Sequence, residues 1–167
     1  TIPNSITSIG DGAFYYCPNL TDINIPDNVT SIGDYAFYSC SSLTSIEIPN
    51  NVTSIGNQAF YYCSGLRTVI NFSNLTFTKG SQDHGDIAYY ADKVINTSDG
   101  LIENDFVFGK LDGANVLFAY LGNGTDITLP DNYKGESYAI AAEAFRNNTN
   151  LTNINIPDCV TSIGNYA

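Results

Sequence analysis

Short motifs recur along this chain at a fixed step of 23 residues, and that period leaves few folds open. Ile-Pro occurs at Ile2-Pro3, Ile25-Pro26 and Ile48-Pro49, and Ser-Ile-Gly, Ala-Phe, Cys and Leu recur at the same step. The unit returns near the end of the chain with Ile156-Pro157 and Ser162-Ile163-Gly164. A unit of this length cannot bury its apolar face alone, so we expect neighbouring units to stack into a solenoid with a shared core.

Within each unit, the spacing of the apolar residues predicts one short strand and one turn. Leu20, Ile23 and Ile25 follow the pattern L-x-x-I-x-I, in which alternate side chains point to one side of a strand. Pro26 ends that strand because proline has no N–H to donate to a ladder. Ala36-Phe37 places a small and a large apolar side chain on the opposite wall, on a predicted helical or 3₁₀ turn. Stacking would set the strands about 4.8 Å apart in a parallel sheet.

The complete pattern, L-x-x-I-x-I-P-x-x-V-x-x-I-G-x-x-A-F-x-x-C, resembles the BspA-like leucine-rich repeat. That family is abundant on bacterial cell surfaces and also occurs in some parasitic protists. The resemblance covers about residues 1–72 and 126–167. It implies a mostly β leucine-rich-repeat solenoid. It also implies an extracellular or cell-surface location and a role in binding or adhesion to host matrix or other cells.

The period is lost from Asn71 to about Thr125. Asn71 stands at the repeat position that Ile25 and Ile48 occupy. Stacking would align such equivalent positions into a column along the solenoid. Because a polar residue interrupts this apolar column, we expect the register of the repeat to fail there. Within this region, β-favouring residues flanked by turn residues predict further strands. These predicted strands are Leu75–Thr78, Ile87–Ala91, Phe106–Lys110 and Val116–Tyr120. Asp112-Gly113 predicts a hairpin turn between the last two.

These boundaries predict three segments of one continuous solenoid. Residues 1–72 carry the N-terminal leucine-rich repeats, residues 73–125 form an inserted β-rich island, and residues 126–167 carry the C-terminal repeats. A separate domain at 73–125 is the alternative, but about 50 residues make a marginal core. Both terminal units are incomplete, so we expect the chain to be a fragment of a longer protein.

The charge balance excludes several classes of partner. Six Lys and Arg residues against 17 Asp and Glu residues give a net charge of −11. So acidic a chain repels phosphates, which argues against nucleic acid and anionic membrane surfaces as partners. The longest clean apolar run, Val116–Leu121, is far shorter than the roughly 20 residues that span a bilayer, so we expect no membrane insertion. We expect a monomer.

Three of the four cysteines, Cys17, Cys40 and Cys63, share one column of the repeat. We interpret them as buried structural thiols that bond the backbone of the neighbouring turn. Asn148 occupies the same column in the last unit, which favours that interpretation. A disulfide is the first alternative. A metal or redox site is the second, although a single file of thiols does not supply tetrahedral ligands. Cys159 lies in a different column.

No residue pattern predicts catalysis or a bound cofactor. His84 is the single histidine and lies on a predicted loop, and no G-x-S-x-G, G-x-G-x-x-G, P-loop or H-E-x-x-H motif occurs. Asp99–Asp105 carries several carboxylates but lacks the alternating acidic pattern of a calcium loop. We therefore predict that the chain is not an enzyme and that it uses no cofactor and no metal.

Two sets of surface positions are the candidate binding residues. The outward positions of the predicted sheet are lightly charged and polar, with Ile70 at one of them; the polar ones are Asp22, Asn24, Ser45, Glu47 and Thr68. The second set is aromatic and follows Ala-Phe in the repeat or lies in the island. It comprises Tyr15, Tyr38 and Tyr61, joined by Tyr16 and Tyr62, with Tyr89 and Tyr90 in the island. Exposed tyrosines supply contact area at low entropic cost. The alternative is that these rings only cover the core between units.

These observations lead to one functional hypothesis and two alternatives. We expect a non-enzymatic cell-surface or secreted module that binds or adheres to an extracellular or cell-surface protein, such as a host protein. The first alternative is a carbohydrate-binding module, in which the tyrosine columns stack on sugar rings. The second is a passive spacer that presents other domains.

Overall fold

Residues 2–167 are described by a computed structural model. This part of the chain forms two compact units, the first ending at Ser98 and the second spanning Asp99–Ala167. The division of the chain at residues 72 and 125 stays a prediction.

The first unit contains six short strands and one short helical segment. The strands are β1 (Ser8–Ile9), β2 (Ser31–Ile32), β3 (Ser45–Ile48), β4 (Ser54–Ile55), β5 (Thr68–Asn71) and β6 (Lys93–Asn96), and the helical segment α1 is Asp83–Asp86. They form two parallel sheets of three strands, in the orders β1-β2-β4 and β3-β5-β6. Ser8 pairs with Ser31 and Ser31 with Ser54, so each solenoid turn advances by one sequence repeat. The predicted mostly β leucine-rich-repeat solenoid is confirmed.

The expectation that the register fails at Asn71 was wrong. Asn71 pairs with Ile48 on one side and with Asn96 on the other, so β6 continues the sheet. Asn71 is fully buried, and its Nδ2 donates to the carbonyl oxygen of Leu75 at 2.6 Å and to Oδ1 of Asn96 at 2.9 Å. Asn96 in turn exchanges hydrogen bonds with the backbone of Phe77. The buried amide of Asn71 and the exposed amide of Asn96 thus stand where earlier turns have isoleucine, and they fix the loop that follows β5.

Two strands predicted in this region are also absent. The backbone of Leu75 and Phe77 bonds to the side chains of Asn71 and Asn96, instead of to a neighbouring strand. Residues 87–90 form a turn followed by a bend, and Tyr89 N–H donates to the carbonyl of Asp86 at 3.1 Å. In the first solenoid turn, residues 20–25 likewise form no strand.

The second unit combines an antiparallel meander with parallel solenoid strands. Its strands are β7 (Leu101–Glu103), β8 (Phe106–Leu111), β9 (Ala114–Tyr120), β10 (Asp126–Thr128), β11 (Tyr138–Ile140), β12 (Asn153–Asn155) and β13 (Val160–Ile163). One sheet has the order β13-β11-β9-β8-β7, and β10 pairs in parallel with β12. The predicted hairpin is confirmed, since Leu111 pairs with Ala114 across a turn in which Asp112 and Gly113 both have positive φ.

Each unit has its own apolar core. In the first unit, the phenyl rings of the repeated Ala-Phe motif stack along the solenoid, with 5.1 Å between the centroids of Phe14 and Phe37 and 5.0 Å between those of Phe37 and Phe60. In the second unit, Phe108 stacks on Tyr133 at 4.6 Å and meets Tyr138 edge to face at 5.1 Å.

The cysteine column forms the predicted ladder of thiols. Cys40 Sγ donates to the carbonyl oxygen of Phe14 at 3.3 Å, and Cys63 Sγ donates to that of Phe37 at 3.1 Å. Asn148 takes the same role in the second unit, donating to the carbonyl of Tyr120 at 3.3 Å. All four cysteines are free thiols. The interaction with the Cys40 thiol, together with burial, raises the pKa of Cys63 far above its usual range, so this thiol stays neutral at physiological pH.

Candidate binding surface

Tyrosines cluster on the outside of the turns whose phenylalanines fill the first core. Phe37 and Phe60 are fully buried, whereas the neighbouring Tyr16 and Tyr62 are 68% and 50% exposed. We call this cluster the tyrosine surface, and its members are Tyr15, Tyr16, Tyr35, Tyr38, Tyr61, Tyr62, Tyr89 and Tyr90. Every candidate tyrosine from the sequence belongs to it. Its functional role stays a prediction.

Backbone hydrogen bonds between successive turns set the spacing of these rings. Phe14 N–H donates to the carbonyl of Ala36, and Phe37 N–H donates to that of Ala59, both at 2.7 Å. Phe60 N–H makes the same bond, also at 2.7 Å, to Gly85 in α1. Residues that follow each Ala-Phe motif are therefore held one turn spacing apart. The surface thus continues from the regular repeats to the segment that carries Tyr89 and Tyr90.

Tyr38 lies at the centre of the surface and packs against four other rings. It stacks on Tyr15 with 4.9 Å between centroids and 11° between planes. It is tilted against Tyr61 at 5.8 Å and Tyr35 at 5.9 Å, and meets Tyr62 edge-on at 5.7 Å. These contacts hold the rings in place before any partner arrives, which lowers the entropic cost of binding.

The central phenols are neutral groups at physiological pH. Partial burial, followed by the neighbouring Tyr15, Tyr62 and Tyr35 hydroxyls, raises the pKa of Tyr38 above its ordinary value. A hydrogen bond with Tyr62 is the main reason that the pKa of Tyr61 is also raised. The surface therefore offers uncharged hydroxyl groups that can donate or accept hydrogen bonds.

Tyr35 was missed by the sequence analysis, and no column signal would have found it. Its equivalents one repeat before and after are Gly12 and Gln58. These three share a positive φ, of 61°, 57° and 50°, so the column conserves a backbone turn and not a side chain. The ring lies beside Tyr38 because both residues belong to one tight turn, in which Tyr38 N–H donates to the carbonyl oxygen of Tyr35 at 3.1 Å.

The polar sheet positions form a smaller surface than expected. Ser45 pairs with Thr68 in neighbouring strands, and both are half-buried. Glu47 is exposed, and partial desolvation, with the nearby Asp22 carboxylate, raises its pKa. Asp22 and Asn24 are also exposed, but they lie outside any strand.

One outward position of that sheet is not on the surface at all. Ile70, which pairs with Glu47, is only 1% exposed, and Ile95, which pairs with Ile70, is buried as well. The expectation that the outward column remains an open surface was wrong at Ile70. In this column Asn24 and Glu47 are therefore exposed, and the next two residues are buried.

An open cleft adjoins Tyr35. Its other walls come from residues 55–58 and from the segment Gln82–Asp86. His84 lies there half-buried, with its ring 5.4 Å from that of Phe77 in an edge-on contact. Asp86 is only 6% exposed, and burial raises its pKa. Within residues 2–167, no three His, Cys, Asp or Glu side chains are grouped as metal ligands. No helix in this range is long and apolar enough to cross a bilayer.

The repeat geometry agrees with a recognised class of protein. Six copies of the BspA type leucine rich repeat region match residues 1–82 and 114–167. The chain therefore belongs to the BspA-type leucine-rich-repeat family.

Solved bacterial proteins share similarity over nearly the whole chain. A leucine rich cell surface protein from Faecalibacterium prausnitzii is 29% identical, with 98% of this chain and 36% of that protein covered and a TM-score of 0.42. A leucine-rich repeat protein from Bacteroides ovatus is 30% identical, with 98% and 38% covered and a TM-score of 0.46. The chain thus spans well under half the length of these two proteins. No curated protein matches it.

Proposed function

We propose that this chain is a non-enzymatic binding module of a cell-surface or secreted protein, and that it recognises extracellular or cell-surface proteins through the tyrosine surface. The observation that carries the proposal is a set of eight neighbouring tyrosines on one series of turns, several of them about half exposed. Tyrosine is enriched in protein interfaces because its ring supplies a large contact area and its hydroxyl a hydrogen bond.

The fixed arrangement of the rings supports a binding role over a merely structural one. Rings that only cover a core would be largely buried, yet Tyr15 and Tyr16 remain more than half exposed. Tyr38 cannot easily rotate, because four neighbouring rings surround it. A partner that docks here would meet a rigid surface and lose little side-chain entropy.

The same stacking supports a protein partner over a sugar. A sugar ring stacks on the open face of an aromatic ring, but Tyr15 and Tyr38 turn one face each toward the other. Tyr38 also packs against Tyr35, Tyr61 and Tyr62, which leaves less of its ring face open to a sugar. Packed tyrosine rings with free hydroxyl groups suit the mixed apolar and polar contacts of a protein interface.

The test is a binding assay with surface variants that keep the fold. Tyr35 and Tyr62 have positive φ, a region that asparagine tolerates well, so Tyr35→Asn with Tyr62→Asn removes two exposed rings with little backbone strain. Tyr166→Asn is the matched control, because Tyr166 also has positive φ, is 91% exposed and belongs to the second unit.

Wild type and both variants would be screened against panels of purified matrix and cell-surface proteins and against a glycan array. We expect the wild type and Tyr166→Asn to retain the same protein ligand, and the double variant to lose it by about tenfold or more in affinity. Retention of glycans but of no protein would instead favour the carbohydrate alternative. If neither class of ligand is retained, the chain acts as a spacer.

A further inference from the structure

We propose that the cleft beside Tyr35 is the pocket for a lysine or arginine side chain of the partner protein, so that the tyrosine surface selects a cationic segment. This inference rests on the proposed function of the tyrosine surface. It adds the chemistry of the partner and the place where its charge is received.

The cleft presents carboxylates and an aromatic wall. The residues that line it include Asp83, Asp86, Tyr35, Gln58 and Gln82. Carboxylate oxygens, amide oxygens and aromatic rings are all groups that attract a guanidinium or ammonium ion.

Asp86 is the residue that most needs such a partner. It is 6% exposed and lines the cleft, and within residues 2–167 burial alone, with no hydrogen bond or opposite charge, acts on its carboxylate. A buried carboxylate without a partner is costly, which is why burial raises the pKa of this group. A cation in the cleft would replace the hydration that the carboxylate has lost.

The turns that carry the tyrosines and the cleft segment contain no positive charge of their own; Lys79 lies outside them, on the loop whose Gly80 N–H donates to the carbonyl oxygen of Ala88. Residues 11–17, 34–40, 57–63 and 82–91 contain four aspartates, no lysine and no arginine. Asp11 and Asp34 are held in place, because each accepts a hydrogen bond from a backbone N–H of the next turn, at 2.8 Å and 2.7 Å. The surface is therefore bordered by fixed carboxylates.

Arg67, a basic residue at the edge of the tyrosine surface, already has partners within the chain. Arg67 donates from a guanidinium nitrogen to the carbonyl oxygen of Tyr90 at 3.3 Å and lies 3.9 Å from the carboxylate of Asp92. Its charge is paired with that carboxylate. A cationic partner segment would approach a surface whose net field is negative, which speeds its association.

The test compares three peptides of one design: a Gly-Ser backbone carrying three arginines, three glutamines or three glutamates. Binding to the intact chain would be measured by NMR titration. We expect the arginine peptide to bind about tenfold more tightly than the glutamine peptide, and the glutamate peptide not to bind. The affinity of the arginine peptide should fall about fivefold between roughly 0.05 M and 0.5 M NaCl.

Two variants of cleft residues and one control variant test whether the peptide's charge is received in the cleft. Asp83→Asn removes an exposed carboxylate from the cleft, and Asp27→Asn removes one from an exposed turn elsewhere in the same unit, so both change the net charge equally. Asp86→Asn keeps the shape of the buried side chain and suits its positive φ of 66°. We expect Asp83→Asn and Asp86→Asn to weaken arginine-peptide binding about fivefold, and Asp27→Asn to change it by less than about twofold.

The outcomes separate this inference from the function on which it rests. If the glutamine peptide binds as well as the arginine peptide, and Tyr35→Asn with Tyr62→Asn abolishes both, the cationic pocket is wrong and the tyrosine surface still binds protein. If Asp27→Asn weakens binding as much as Asp83→Asn, attraction is general and the pocket is also wrong. If no peptide binds and the double tyrosine variant retains every ligand of the wild type, both proposals fail.

Discussion

The side-chain amide of Asn71 donates a hydrogen bond to Oδ1 of Asn96 at 2.9 Å, across one turn of the solenoid. One turn earlier, this column holds the buried apolar side chain of Ile48. Asparagine replaces isoleucine in this column. The side chain of Asn71 therefore bonds the backbone of Leu75, and that of Asn96 bonds the backbone of Phe77, while the strands stay paired.

Restoring the apolar residue at this column should destabilise the protein. Asn71→Ile would leave the buried hydroxyl of Ser73 without its acceptor, and it would remove the donor to the half-buried carbonyl of Leu75 and to the exposed Asn96 side chain. We expect a loss of about 2–4 kcal/mol in the free energy of unfolding, measured by urea denaturation. The control is Asn51→Ala, which removes one exposed hydrogen bond to Asp27 and should cost about 1 kcal/mol or less. Equal stability of Asn71→Ile and wild type would contradict this interpretation.

Two buried tyrosines of the second core should respond oppositely to loss of the hydroxyl. The hydroxyl of Tyr133 has no hydrogen-bond partner among residues 2–167, whereas that of Tyr138 donates to the carbonyl of Pro130 at 2.7 Å. Tyr133→Phe should therefore be neutral or stabilise by up to about 1 kcal/mol, and Tyr138→Phe should destabilise by about 1 kcal/mol. Thermal unfolding of the two variants provides the comparison. A drop in Tm for Tyr133→Phe as large as that for Tyr138→Phe would show that the Tyr133 hydroxyl is satisfied.

Two glycines with similar backbone angles should tolerate a methyl group differently. Gly85 and Gly80 have φ of 69° and 76°. A Cβ at Gly85 would overlap the carbonyl oxygen of Gly56 and lie 2.9 Å from Cβ of Ala59, whereas a Cβ at Gly80 would meet nothing within 4 Å. Gly80→Ala should cost about 1–2 kcal/mol from backbone strain alone.

Gly85→Ala adds overlap with the neighbouring turn to the same strain, so we expect it to cost at least about 2 kcal/mol more than Gly80→Ala. Urea denaturation measures both. Because Gly85 accepts the hydrogen bond from Phe60, the larger effect should also appear as faster amide exchange at Phe60. Equal losses of unfolding free energy in the two variants would contradict close packing of Gly85 against Gly56 and Ala59.

The Glu47 carboxylate should make stability depend on pH with a defined sign. Partial desolvation, with the nearby Asp22, raises the pKa of Glu47 in the folded protein. The folded state therefore holds this proton more tightly than the unfolded state does, and the stabilisation from the proton is lost as pH rises through the raised pKa. Glu47→Gln should be more stable than wild type at about pH 7, and the two should converge near about pH 3, where Glu47 is protonated.

Urea midpoints at the two pH values check this. Asp27→Asn is the control, because Asp27 is likewise exposed in the same unit and should give no comparable difference. A variant Glu47→Gln that is less stable than wild type at the higher pH would reverse the assigned direction.

The repeat period alone was enough to predict the solenoid, its parallel strands and the ladder of thiols at Cys40 and Cys63. A column of the repeat fixes what lies above and below each residue, so contacts along the columns can be read directly from a 23-residue step. The exposed tyrosines that follow Ala-Phe could be named for the same reason.

Contacts that do not repeat were decided only by the tertiary structure. Asn71 keeps the register because its amide bonds a loop that sequence spacing does not place there, and Ile70 is buried although Glu47, with which it pairs, is exposed. Asp86 comes to line the cleft beside Tyr35 because the irregular segment at 82–86 stacks on a regular turn. Side-chain packing between a regular turn and an irregular one depends on three-dimensional geometry, and no period in the sequence encodes it.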